Sequence, residues 1–139
     1  MKALVYAALT LLLFTSEAAT KNVTGNELDK QLIGRWKYTG QSGGSAGRTE
    51  TAKHNMVSVI EFIKGGKYVR YTNGEPMFQG VYALCKAKSI YTGKIDNAIK
   101  FDPKVNSTET GNILTITGDT LLLADNINDG YTAGYLRID

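Results

Sequence analysis

Leu32-Ile33-Gly34-Arg35-Trp36-Lys37-Tyr38 holds the only tryptophan of the chain and stands between a short helical lead-in and a long run of strand-like segments. A lone tryptophan on the first strand of a β-rich chain presents a large apolar surface that needs many strands around it, which suits the plug at the closed end of a barrel. Such a plug takes a lid. Arg137, near the end of the chain, is placed to lay its guanidinium over the indole face. The expectation is a sheet that opens at Gly34 and closes back on it at Leu136-Arg137.

Upstream of this stretch, Asn26-Glu27-Leu28-Asp29-Lys30-Gln31-Leu32 sets Leu28 and Leu32 four residues apart, as on one face of a short helix, with Asn26 as its cap. That helix would act as a stopper under the first strand. Downstream, alternation and turn residues predict strands over 35–39, 56–63, 68–72, 78–85, 89–95, 98–101, 112–117, 120–124 and 131–138. Gly65-Gly66 can adopt the positive φ angles of a tight hairpin turn, Asn73-Gly74 marks another, and Pro76 fits only a connection. Residues 40–55, rich in Gly, Ser and Thr, read as a long mobile loop. Eight or nine antiparallel strands with this turn spacing imply a barrel or sandwich, and no helix long enough for a parallel crossover is present.

The first residues have their own pattern. Lys2, an apolar run over 4–14 and small residues at Ser16 and Ala18 match a secretory signal peptide over 1–18, with a single domain over 19–139. The apolar run is shorter than the ~20 residues a bilayer span needs. The expected destination is the periplasm or the extracellular medium. With 16 basic and 13 acidic residues, net charge +3, the chain carries its positive charges scattered along strands, whereas a nucleic-acid binder clusters them on one face. Cys85 is the only cysteine, which rules out an internal disulfide and reads as a small apolar strand residue.

Catalytic chemistry finds little footing. The sole histidine, His54, sits at the end of the Gly/Ser-rich stretch, a poor place for a general base. One His and one Cys do not supply a zinc site, and neither Gly43-Gly44 nor Gly65-Gly66 precedes a phosphate-cradling helix. No catalytic residue, metal or cofactor is expected. Glu75, Asp96, Asp102, Asp119, Asp125 and Asp129 read as solvated turn residues, and Glu61 as an outward residue between inward Ile60 and Phe62. The remaining chemistry is aromatic. Tyrosines facing inward either line a cavity and orient a ligand through their hydroxyls or fill a solid core, and strand number does not decide between the two.

Gly34-Arg35-Trp36 after a short helix, the terminal Arg137, the pattern Ile60-Glu61-Phe62-Ile63-Lys64-Gly65-Gly66-Lys67-Tyr68, Gly80-Val81-Tyr82 and Gly118-Asp119-Thr120-Leu121-Leu122-Leu123 resemble the lipocalin-like domains of small secreted bacterial proteins, within the calycin group. The resemblance spans 28–138. It implies an all-β, antiparallel up-and-down barrel of about eight strands that binds a small, mainly apolar ligand at its open end, with 40–55 as an entrance flap. The candidate ligand-binding residues are Phe62, Tyr68, Arg70, Phe78, Tyr82 and Tyr135. The alternative is a protein-interaction or envelope-structural module with a solid barrel core.

Overall fold

The computed structural model describes residues 25–139; the expected signal peptide over 1–18 and the start of the domain at 19 lie outside the described residues. One helix and nine strands follow in order: α1 (Gly25–Leu32), β1 (Gly34–Gly43), β2 (Arg48–Thr51), β3 (Ser58–Ile63), β4 (Lys67–Thr72), β5 (Glu75–Lys88), β6 (Ile95–Phe101), β7 (Asn112–Thr117), β8 (Thr120–Ala124) and β9 (Tyr131–Arg137). β1 and β3 to β9 run antiparallel, each paired to the next, and β9 pairs back onto β1 through Trp36↔Arg137 and Tyr38↔Tyr135. The result is a closed eight-stranded barrel with one extra strand. β2 is that extra strand, taking the edge of β1 at Gly40–Gly43 beyond the point where β3 pairs with Gly34–Lys37.

Period-two alternation sends one side of each strand inward. Trp36, Ile60, Phe62, Tyr68, Ile99 and Leu121 are among the buried residues of this core, and Leu28 and Leu32 of α1 join it from below. Each such large side chain contributes about 1.5–3 kcal/mol by leaving water. Glu61 points the other way, half-buried on the outer wall, where it accepts a hydrogen bond from Tyr71 Oη at 2.8 Å.

Four expectations are corrected. Residues 40–55 do not form a long loop: β1 continues to Gly43 and turns back as β2, so Gly40 and Gly43 serve strand packing while Gly44 and Gly47 make the turn. A Cβ on Gly40 would overlap the Glu50 carbonyl, and one on Gly43 the Gly130 carbonyl. The entrance flap of the sequence reading is therefore a hairpin extending the barrel wall. Pro76 lies inside β5, not in a connection, at the irregularity where the register shifts between Arg70 and Tyr71; a bulge is a place where a strand tolerates a residue without an N–H. Residues 89–94 form a turn rather than a strand, because Ser89 Oγ accepts from Tyr91 N and Thr92 N and Ser89 N donates to Lys94 O, while Gly93 takes φ 69°. Finally, Asn26 falls inside α1, which begins at Gly25.

Candidate functional site

The two ends of the barrel differ in how their polar groups are used. At the α1 end, the Trp36 indole N–H donates to Leu32 O at 2.8 Å, and the Arg137 guanidinium carbon lies 4.1 Å from the indole ring centre. Arg137 also donates to Ile33 O at 3.0 Å and to Gln31 O, so one cation covers the tryptophan and caps the C-terminal end of α1 and the residue that follows it, where a positive charge is favoured. Gly34 makes room for this: a Cβ there would stand 2.7 Å from Arg137 Nη1. Tyr82 Oη donates to Asp29 Oδ1 at 2.6 Å and ties α1 to β5. Burial, then that bond, raises the Tyr82 phenol well above its ordinary pKa of 10.0.

The opposite end is open. A cleft of about 290 Å³ is lined by Tyr38 of β1, Ser58 and Ile60 of β3, Arg70 of β4, and Ala133 and Tyr135 of β9. The Tyr38 and Tyr135 rings meet edge-on at 5.6 Å and form one wall. Burial, then Tyr135 and Glu50, pushes the Tyr38 phenol up, so at neutral pH it remains a hydroxyl donor and acceptor. Gln41 at the rim donates to Glu50 at 3.2 Å.

Beneath the cleft lies a second feature. Arg70 pairs in register with Ile60 on one side and Phe78 on the other, and its guanidinium carbon sits 5.6 Å from the Tyr68 ring and 5.1 Å from the Phe101 ring. Tyr68 Oη donates to Asp102 Oδ2 at 2.5 Å, and Val81 N donates to Asp102 Oδ1 at 3.0 Å. Desolvation first, and this hydrogen bond second, push the Tyr68 phenol up to about 12, while the Tyr68 bond chiefly holds the Asp102 carboxyl below its ordinary value of 3.8. The knot depends on Gly80, since any Cβ there would overlap the Asp102 carboxylate. Asp102 itself takes φ 46°. Its expected role as a free turn residue is thus corrected: it clamps β4, β5 and the end of β6.

Of the six candidate residues, the structure brings Arg70 and Tyr135 to the mouth cleft. Phe62, Tyr68 and Tyr82 lie in the closed core, with Phe62 packed edge-on against Tyr82 at 5.2 Å. Phe78 is 53% exposed and leans on Tyr68 at a ring distance of 6.0 Å. The sequence reading did not select Tyr38, Ser58 or Ile60. Tyr38 was within reach, standing two residues from Trp36 on the same side of β1, whereas the place of Ser58 depends on where β3 enters the barrel.

A wider depression of about 560 Å³, bordered by Lys100, Glu109, Asn112, Asp125 and Ile127, is a weaker candidate. Two of its polar groups are already spent on each other: Asn112 Nδ2 donates to Asp125 Oδ1 at 2.9 Å, and Asp125 Oδ2 accepts from Tyr131 N at 3.1 Å. Among the described residues, no group of three His, Cys, Asp or Glu side chains could hold a metal ion, and no helix is long and apolar enough to cross a membrane. His54 is exposed at a turn, and Cys85 is half-buried on β5.

Compared with protein-family models, curated proteins and solved structures, the chain gives no match.

Proposed function

We propose that this chain is an exported lipocalin-like barrel that binds a small, mainly apolar molecule non-covalently at its mouth. The observation that carries the reading is the aromatic-walled cleft of about 290 Å³ at the end opposite the α1 seal, near the lower bound of ~300 Å³ typical of small-molecule sites. Burial of apolar surface at about 25 cal/mol per Å² would drive binding, and the hydroxyls of Ser58, Tyr38 and Tyr135 would orient the ligand. Export rests on the signal-peptide pattern over 1–18, and a binding rather than catalytic role on the poor placement of His54. Native mass spectrometry of protein purified from its own host tests the reading: a co-purifying small molecule supports it. Repeated preparations that carry nothing, together with failure to bind an apolar dye, overturn it.

A second reading is favoured by β5. β6 pairs with β5 from Tyr82 onward and Asp102 bonds both the N–H and the carbonyl of Val81, which leaves residues 75–80 without a strand on that side, and Met77 and Phe78 are exposed along it. An unpaired edge with apolar side chains suits contact with another protein, the role of an interaction or envelope-structural module.

A further inference from the structure

The mouth cleft holds one charged side chain, and among the described residues no carboxylate lies within ion-pair distance of it. Tyr38, Ser58, Ile60, Ala133 and Tyr135 bring hydroxyls and apolar surface, and Arg70 brings a positive charge. Among the described residues the ion pairs are Arg35 with Asp139 and Arg137 with Asp119, so Arg70 has none. The carboxylates around it are committed elsewhere. Asp102, close enough for its charge to be felt but beyond ion-pair distance, accepts from Tyr68 and Val81; Glu61 accepts from Tyr71 on the outer wall; Glu50 accepts from Gln41 at the rim.

This cation is also held in place. Its guanidinium lies over both the Tyr68 and Phe101 rings, and Tyr68 is fixed by its short bond to Asp102. A planar fork of N–H donors, orientated by rings and half-shielded from water, matches the two oxygens of a carboxylate better than any neutral group. The volume of about 290 Å³ has room for a compact body.

We infer that the mouth cleft takes a small organic carboxylate, its charged group on Arg70 and its aromatic or short aliphatic body against Ile60, Tyr38 and Tyr135. The inference rests on the binding reading above and adds the ligand's chemical class to it.

The test compares 2-naphthoate with 2-naphthamide, which share size and shape and differ in charge, by calorimetric titration into the folded protein at neutral pH. The wild type is expected to bind the naphthoate about ten-fold or more tightly than the amide, the difference that a charge-assisted hydrogen bond supplies. Added salt should weaken the naphthoate alone. Arg70→Gln should erase the preference for the acid over the amide, and Arg70→Lys should restore part of it. Circular dichroism checks that the variants are folded; if Arg70→Gln is not, the wild-type preference and its salt dependence still decide. Equal affinities for acid and amide in the wild type, or an unchanged naphthoate affinity in folded Arg70→Gln, overturn the inference and leave the binding reading intact. Absence of binding by both compounds overturns the two together.

Discussion

At the α1 end of the barrel Arg137 has an indole beneath it, the carbonyls of Gln31 and Ile33 in front of it and Asp119 Oδ1 at 3.7 Å; at the mouth Arg70 has two aromatic rings and no carboxylate of its own. Both are arginines on barrel strands and both stack on aromatic rings. The difference lies in what faces their N–H groups. Where the chain itself supplies carbonyls and a carboxylate the cation holds the fold together, and where it supplies only the Tyr68 hydroxyl and no ion-pair partner the cation is available to something else. The same contrast runs through the tyrosines: Tyr82 gives its hydroxyl to Asp29 and packs against Phe62, whereas Tyr38 and Tyr135 turn an edge-on pair toward an open cleft.

From this contrast, substitutions at the sealed end should cost stability and substitutions at the mouth should not. Trp36→Ala is expected to have the largest effect, about 3–5 kcal/mol by urea denaturation, since it removes a fully buried aromatic ring. A loss below about 1 kcal/mol would show that the seal does not hold the barrel closed.

Arg137→Gln should cost less, about 1.5–3 kcal/mol, through lost charge-assisted bonds to the Gln31 and Ile33 carbonyls. Gly34→Ala should destabilise by displacing the same guanidinium, and also through its φ of 131°. The two effects should therefore add to less than their sum in the double variant. Strict additivity would mean that Gly34 is needed for its backbone angle alone.

The Asp102 clamp, between the two ends, has a pH signature. The Asp102 pKa is lowered in the folded state, chiefly by Tyr68, so its contribution is present above the ordinary value of 3.8 and is lost as pH falls through the lowered one. Wild-type stability should accordingly decline over that acidic window more steeply than that of Asp102→Asn. Equal slopes in paired denaturation curves would show that the Asp102 clamp does not stabilise the barrel.

The smallest effect is expected at the mouth. Ser58→Ala, at a half-buried position lining the cleft, should stay within about 0.5 kcal/mol of wild type in the same denaturation experiment. A loss above about 1 kcal/mol would place the Ser58 hydroxyl among the groups that hold the barrel together.

Much of the wall was readable in advance. Ile60-Glu61-Phe62 alternates cleanly, Lys64-Gly65-Gly66-Lys67 can only be a turn, and β7 and β8 fall where their apolar runs end at Gly118-Asp119 and Ala124. The site was readable in part: Arg70 and Tyr135 reach the cleft, whereas Phe62, Tyr68 and Tyr82 belong to the packed core. Inward direction follows from period two, but distance from the seal does not, because it depends on how far each strand is staggered against the next. Residues 40–55 misled for a related reason. Glycine marks both freedom and close approach, and only the Glu50 and Gly130 carbonyls lying against Gly40 and Gly43 show which applies.

By itself the sequence determined the all-β class, the short helix beneath the first strand and the pairing of Trp36 with Arg137, because each depends on side-chain period and on the rarity of the residues involved. Tertiary structure decided which arginine is consumed by the fold and which is left over. Asp102 lies 34 residues from Tyr68, and the carbonyls that occupy Arg137, Gln31 in the last turn of α1 and Ile33 just past it, are more than a hundred residues away; whether a charge finds a partner is set by folding distance rather than chain distance.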